Sequence, residues 1–124
     1  MSPAGRGRRR RLSRSGEFER VYRDGTSHAN RYVVGYAFAR RDEIEREPRL
    51  GVSVSRKVGG AVERNAVKRT LRDSFWRLAE DLPEGHDYVL VARPPLSELL
   101  EREGAEGVEG AIRETLAKAT GGSV

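Results

Sequence analysis

The segment from Ala61 to about Leu82 is the longest periodic stretch of the sequence and constrains the fold most. Its apolar side chains recur three or four residues apart, which predicts one buried helix face; they are Val67, Leu71, Phe75, Leu78 and Leu82. At 3.6 residues per turn, a second set fans across a neighbouring arc of roughly 140°; it consists of Arg64, Asn65, Lys68, Arg69 and Arg72. The sequence therefore predicts a helix with one apolar and one cationic side.

Shorter patterns predict the other elements. A helix over 15–24 places Phe18, Val21 and Tyr22 on one face and ends at Gly25. Alternating or continuous apolar runs predict strands at 32–38, 50–54 and 88–92, and amphipathic patterns predict helices at 96–102 and 108–119. The resulting order α-β-β-α-β-α predicts a single α+β (α/β sandwich) domain.

Length and composition bound the domain and its surroundings. We expect one domain over 13–120, a disordered basic tail over 1–12 and a flexible tail over 121–124. No apolar run approaches the ~18 residues that cross a bilayer, so we expect no membrane partner. The chain has no cysteine, which excludes disulfides, thiolate zinc sites and cysteine nucleophiles and favours a reducing, cytoplasmic location.

The charge is segregated along the chain. Residues 1–14 carry six arginines and no acid, and residues 49–72 carry seven basic side chains against Glu63 alone. The segment 15–48 has a net charge of −1 and 73–124 of −6, so the net charge of +5 resides in two basic blocks. Cations placed on phosphates release condensed counterions, so such blocks favour a polyanionic partner, although a solvated face without a partner is the alternative.

The sequence lacks a set of residues that could form a self-sufficient active site. The two histidines, His28 and His86, lie just before a strand and in a turn, and neither has the neighbours of a metal site or a catalytic relay. Gly59-Gly60 could cradle a phosphate at a helix N-terminus or could be a plain loop. We therefore expect no catalytic residue and no protein-bound metal.

Three aromatic residues lie near the cationic segments, namely Phe18, Tyr22 and Tyr36. Unpaired bases stack on such rings with about 1–3 kcal/mol each, which favours single-stranded RNA as a ligand. Phe18 and Tyr22 are one helical turn apart, so the face they share is either core or a stacking platform.

The stretch from Arg49 to Trp76, RLGVSVSRKVGGAVERNAVKRTLRDSFW, closely resembles the protein subunit of bacterial ribonuclease P. That family has a strand ending in Gly-x-Ser-Val-Ser-[Lys/Arg]-Lys and a helix carrying Arg-Asn-x-x-Lys-Arg. The matching residues are Gly51, Ser53, Val54, Ser55, Arg56, Lys57, Arg64, Asn65, Lys68 and Arg69. Flanking matches at Arg11-Leu12, Phe18, Gly25, Ala29-Asn30-Arg31 and Tyr88–Pro94 extend the likeness over about 10–95.

The resemblance implies a fold like domain 2 of ribosomal protein S5, with a left-handed βαβ crossover. It implies that the protein joins a catalytic RNA, which uses Mg²⁺ held mainly by that RNA to hydrolyse precursor tRNA and release its 5′ leader. By analogy, the catalytic RNA is contacted by Arg64, Asn65, Lys68, Arg69 and Arg72. The leader is received by Phe18, Tyr22, Tyr36, Arg56 and Lys57.

This sequence departs from the family pattern at one position, and three alternative functions remain. Many relatives have arginine where this chain has Ala66, and the loss of that cation should weaken the RNA contact without abolishing it. A ribosomal or chaperone-type RNA-binding protein would bind RNA without stimulating cleavage. A metal-dependent nuclease would need a carboxylate cluster, for which no residues can be nominated. A reader of double-stranded DNA would need a helix-turn-helix spacing that the sequence lacks.

Overall fold

A computed structural model describes residues 10–12, 15–40 and 46–121. It contains five strands and three α-helices in the order β1-α1-β2-β3-β4-α2-β5-α3. The strands are β1 (Arg10–Arg11), β2 (Thr26–Ala29), β3 (Val33–Ala39), β4 (Arg49–Ser53) and β5 (His86–Ala92). The helices are α1 (Ser15–Asp24), α2 (Ala61–Leu78) and α3 (Leu96–Ala119), and a 3₁₀ turn, Ala79–Asp81, follows α2.

The strands form one mixed sheet in the order β1-β4-β5-β3-β2. β4 runs parallel to both β1 and β5, whereas β3 runs antiparallel to β5 and β2. The β4–α2–β5 segment is thus a parallel βαβ unit, and the handedness of its crossover stays a prediction. Gly51, Val89 and Tyr36 are register partners across three neighbouring strands, so their side chains point to the same face.

The first face of the sheet is covered by α2 and α3. The apolar stripe of α2 is buried there with residues such as Leu50 and Leu90 of the sheet and Ile112 of α3. The predicted α2 stripe is buried through Leu78, and Leu82 lies half-buried beyond the helix end. Burial of this stripe is what leaves the adjacent arc of α2 outside the core.

The second face of the sheet is covered by α1. Val21 of α1, Leu12 and Val89 form a smaller buried cluster, against which Phe18 and Tyr36 pack with part of their surface exposed. Because α1 is only ten residues long, it covers the sheet incompletely. The second face therefore leaves a strip of the sheet beside the helix only half-buried, at Val34, Ser53 and Val91, and we call this strip the cleft.

The expected mixed α+β fold and the order α-β-β-α-β-α are confirmed, with β1 and β2 as additions that the sequence did not predict. The predicted tail over 1–12 is too long, because Arg10 and Arg11 pair with β4 and Leu12 is buried. The predicted helices 96–102 and 108–119 are two parts of α3, interrupted at Gly104, whose φ is +71°. No helix in the described part of the chain is long and apolar enough to cross a membrane.

The histidine placements need correction. His28 lies within β2, not before a strand, and His86 is the first residue of β5. The Nδ1 of His86 lies 2.8 Å from the carbonyl oxygen of Glu84, and its ring stacks on Tyr88 at 5.7 Å between centroids. Both histidines are half-buried.

Candidate nucleic-acid interface

A row of polar side chains occupies the arc of α2 beside its buried stripe. Arg64, Lys68 and Arg72 are half-buried, and Asn65 and Arg69 are exposed. Three residues separated by four positions lie one above another along a helix, so the half-buried cations border the core while the exposed pair faces solvent. The structure thus brings together all five residues predicted on this face.

The cations of this row form no ion pair with a carboxylate among the described residues. The Nε of Arg64 is buried and has no hydrogen-bond partner in the described part of the chain. In contrast, Arg77 at the end of α2 is neutralised by Glu109 of α3, with 2.8 Å between Nε and Oε1. The positive charge of the row is therefore available to a polyanion.

Arg11 extends the row onto the sheet edge. It is the register partner of Leu50, so it lies on the side of the sheet that α2 covers. Burial lowers the pKa of Arg72, and the nearby charge of Arg11 lowers it further. Neither guanidinium group forms an ion pair with a carboxylate within the described ranges, so the pair favours an external anion. We call Arg11 together with the five α2 residues the cationic face.

The cleft on the second face is floored by two rows of register partners. The inner row is Gly51, Val89 and Tyr36, and the outer row is Ser53, Val91 and Val34. Phe18 of α1 lies over the inner row: a Cβ added at Gly51 would lie 2.6 Å from Cζ of Phe18. Only glycine at this position lets the helix approach so closely.

The three predicted aromatic residues meet in this cleft. The ring centroids of Phe18 and Tyr22 are 6.2 Å apart, and those of Tyr22 and Tyr36 are 4.9 Å apart at an edge-on angle of 65°. Tyr22 is 40% exposed, whereas Phe18 and Tyr36 are half-buried against the smaller core. The face shared by Phe18 and Tyr22 is therefore both core and platform, and Tyr22 is its exposed part. We call these three residues and the two floor rows the aromatic cleft.

The hydroxyl of Tyr22 lies near the side chain of Ser53 in the outer row. Burial raises the pKa of Tyr22, and the neighbouring Tyr36 raises it further, while the Ser53 side chain opposes both effects. Tyr22 is consequently a neutral ring at the mouth of the cleft, where an unpaired base can stack on it.

Arg56 and Lys57 are exposed in the turn that follows β4. The turn is fixed by two hydrogen bonds, from Lys57 N–H to Ser55 Oγ (3.3 Å) and from Val58 N–H to Ser55 O (3.1 Å), and by the burial of Val58. Since β4 also supplies Ser53, both cations lie beyond the end of the cleft floor.

The two candidate surfaces lie on opposite faces of one sheet. The cationic face belongs to the layer of α2, and the aromatic cleft belongs to the layer of α1. They are joined around β4 and its following turn, which carries Arg56. Such an arrangement can contact two separate segments of nucleic acid at once.

Several residues of the site were missed at the sequence level. Arg11 was predicted to be part of a disordered tail, and its position became evident only from the pairing of β1 with β4. Ser53 and Gly51 were recognised as motif residues but not as the floor of a cleft. The flanking match Arg11-Leu12 was the only signal that could have indicated Arg11.

The site does not have the donors of a metal centre. Among the described residues, no three histidine, aspartate or glutamate side chains come together in a way that could hold a metal ion. The cationic face would repel Mg²⁺ rather than bind it.

Comparison with known proteins gives consistent matches. The family model described as Ribonuclease P matches residues 7–118. The ribonuclease P protein component of Geobacillus thermodenitrificans is 40% identical over 90% of this chain and 87% of its own length, and that of Bacillus pumilus is 38% identical over 87% and 89%. Among solved structures, the RNase P protein of Thermotoga maritima matches with a TM-score of 0.73 and 33% identity, covering 86% of this chain and 94% of its own. The RNase P protein of Staphylococcus aureus has a TM-score of 0.72 and 31% identity, covering 89% and 96%.

Proposed function

The chain belongs to the ribonuclease P protein family, and from that premise we propose that it binds a catalytic RNA through its cationic face and the 5′ leader of precursor tRNA through its aromatic cleft. The family assigns it to tRNA processing as the protein component of a ribonucleoprotein endonuclease. In that role the protein makes and breaks no bonds. It promotes removal of the leader by binding both RNAs.

The observation that carries the proposal is the cationic face, where Arg64, Lys68 and Arg72 have no carboxylate partner among the described residues. A structured RNA presents closely spaced phosphates that such a row matches, and each phosphate neutralised releases counterions. Arg69 and Arg11 widen the row to the sheet edge.

The leader assignment is supported by the rings of the aromatic cleft. Tyr22 presents an exposed edge beside Tyr36, with a centroid distance of 4.9 Å. Single strands bind by stacking of bases and by backbone contacts with cations, and Arg56 and Lys57 supply the cations at the end of the floor.

The chemistry of cleavage is assigned to the RNA. Hydrolysis of a phosphodiester by Mg²⁺ needs oxygen ligands that neutralise and orient the ion. The described residues of the protein offer no acidic cluster for it. We therefore propose that Mg²⁺ is held by the RNA and that the protein positions the substrate. We expect this ribonucleoprotein to work in the cytoplasm, where precursor tRNA is made.

Reconstitution tests the proposal. The protein, a bacterial ribonuclease P RNA and a precursor tRNA labelled at its 5′ end are combined at physiological Mg²⁺. We expect release of an intact leader only when protein and RNA are both present. Cleavage by the protein alone would overturn the proposal. RNA binding without stimulated leader removal would favour a ribosomal or chaperone-type role instead.

A further inference from the structure

Leu12 is a buried residue to which the function proposed above assigns no role. It follows β1, is only 5% exposed and packs in the smaller core beneath α1. Its backbone N–H donates to the carbonyl oxygen of Leu50 at 3.0 Å, which continues the pairing of β1 with β4. Since side chains alternate along a strand, Leu12 and Arg11 point to opposite faces of the sheet. Residues 10–12, which we call the edge segment, therefore reach both the cationic face and the smaller core.

Leu12 helps to set the position of Phe18. A Cβ added at Gly51 would lie 2.6 Å from Cζ of Phe18 and 3.2 Å from Cβ of Leu12, so the two side chains converge above this glycine. The ring centroid of Phe18 lies in turn 6.2 Å from that of Tyr22, which is 4.9 Å from that of Tyr36. A continuous line of packed side chains thus runs from Leu12 to the exposed ring of the aromatic cleft. Such contiguous packing can couple two distant sites when one element of it has two arrangements.

The edge segment contains the most weakly paired strand of the described sheet. β1 has two register pairs with one neighbour, whereas β2 has four pairs and the other strands have more. Short segments with few hydrogen bonds at the edge of a sheet open locally at a small cost in free energy. The edge segment therefore has two arrangements, one docked on β4 and one released.

Like charges oppose docking of the edge segment in the free protein. Burial lowers the pKa of Arg72, and the nearby charge of Arg11 adds to this effect. Neither arginine forms an ion pair with a carboxylate in the described ranges, so docking brings two guanidinium groups together without a counter-charge. A phosphate bound by both groups turns this repulsion into attraction. RNA on the cationic face therefore favours the docked arrangement.

We propose that the edge segment couples the two RNA sites: the catalytic RNA contacts Arg11 and holds the segment on β4, and Leu12 then positions Phe18 and the exposed ring of the aromatic cleft for the leader. Leu12 is a positioning residue, since it is buried and contacts neither RNA. The inference rests on the proposed function and deepens it, because it makes the affinity for the leader depend on the contact with the catalytic RNA. Coupling of this kind is reciprocal, so a bound leader strengthens the binding of the catalytic RNA by the same factor.

The test compares the affinities of the reconstituted ribonucleoprotein for precursor tRNA and for mature tRNA at saturating catalytic RNA. The ratio of the two affinities measures the binding of the leader alone. Arg11→Gln removes the charge of the edge segment and keeps Leu12, whereas Leu12→Ala removes the side chain that packs beside Phe18. The matched control is Arg69→Gln, which removes one exposed arginine of the cationic face from α2 rather than from the edge segment.

We expect Arg11→Gln to lower this ratio about fivefold, although Arg11 lies on the opposite face of the sheet from the aromatic cleft. Arg69→Gln should weaken the binding of the catalytic RNA and leave the ratio as it is. The double variant Arg11→Gln with Leu12→Ala should lower the ratio no further than Leu12→Ala alone, because both changes act through one element.

Equal ratios for Arg11→Gln and Arg69→Gln would overturn the coupling. Additive losses in the double variant would do the same, since a merely structural role of Leu12 produces them. If the unaltered protein binds precursor and mature tRNA equally, the leader function fails instead.

Hydrogen exchange at the backbone N–H of Leu12 measures docking directly, because this group donates to Leu50. Addition of the catalytic RNA should slow the exchange in the unaltered protein and in Arg69→Gln, and should slow it less in Arg11→Gln. Exchange that the catalytic RNA leaves unchanged in the unaltered protein would overturn the proposal. If thermal unfolding shows that Leu12→Ala does not fold, the comparison of the two arginine variants is sufficient.

Discussion

Arg49 and Asp87 are register partners on the parallel strands β4 and β5, and they form a bidentate ion pair. The Nε of Arg49 lies 2.8 Å from Oδ1 of Asp87, and its Nη2 lies 2.8 Å from Oδ2. Asp87 is fully buried and also accepts from Nη1 of Arg40 (2.8 Å) and from Nη2 of Arg20 (3.1 Å). Because Arg20 belongs to α1, this carboxylate fastens the helix that carries Phe18 and Tyr22 to the floor of the aromatic cleft.

Replacing Asp87 should destabilise the protein strongly. In Asp87→Ala three guanidinium groups lose a buried partner, and removal of one member of a buried ion pair costs about 3–5 kcal/mol. The measurement is the free energy of unfolding from urea titration. Glu84→Ala serves as the control, since Glu84 pairs with Arg46 at 3.5 Å between two exposed side chains; it should change the free energy by less than about 1 kcal/mol. A similarly small change for Asp87→Ala would show that the cluster does not hold α1.

The same cluster predicts a loss of stability in acid. Burial opposes ionisation of Asp87, but the hydrogen bonds and charges of Arg49 and Arg40 outweigh it and hold the pKa below its ordinary value of 3.8. The unfolded chain therefore binds the proton more readily, so the stabilisation is complete above about pH 4 and is lost as the pH falls through the folded-state pKa. Urea titrations between about pH 6 and pH 2.5 measure this. Asp87→Asn should flatten the curve in that range, and a curve parallel to that of the unaltered protein would contradict the assignment.

The local elements of the fold could be predicted from the sequence, but the contacts between distant segments could not. The apolar period of α2 predicted its buried side, and with it the cationic row from Arg64 to Arg72. β1 has only two residues, both arginine, and therefore no periodicity; its pairing depends on β4, almost forty residues away.

The Asp87 cluster could not be predicted either, because it also depends on contacts between distant segments. The apolar run that predicted β5 begins at Tyr88, so Asp87 lay outside the predicted strand. Its partners Arg20, Arg40 and Arg49 are separated from it by 38 to 67 residues along the chain. The position of α1 over the cleft follows from these long-range ion pairs, which no local pattern indicates.

Removal of charge from the cationic face should weaken binding to the catalytic RNA and flatten its salt dependence. In Arg64→Ala with Lys68→Ala, each lost phosphate contact lowers the slope of log affinity against log salt by about 0.7 to 0.9. The measurement is the affinity of protein for ribonuclease P RNA over a range of salt concentrations. Arg77→Ala with Arg113→Ala removes the same charge from arginines that pair with Glu109 and should leave the slope unchanged. Equal slopes in both double variants would place the RNA elsewhere.

Removal of the exposed ring of the aromatic cleft should weaken the binding of precursor tRNA more than the binding of mature tRNA. Tyr22→Ala loses a stacking surface worth about 1–3 kcal/mol per base, whereas mature tRNA has no leader to stack. Tyr22→Phe keeps the ring and loses only the hydroxyl near Ser53, so it should retain most of the discrimination between the two tRNAs. Phe18→Ala should also lower thermal stability, because Phe18 packs on the smaller core and against Gly51. The measurement is the ratio of the two affinities in the reconstituted ribonucleoprotein. If Tyr22→Ala lowers the affinity for both tRNAs equally, the ring does not stack on the leader.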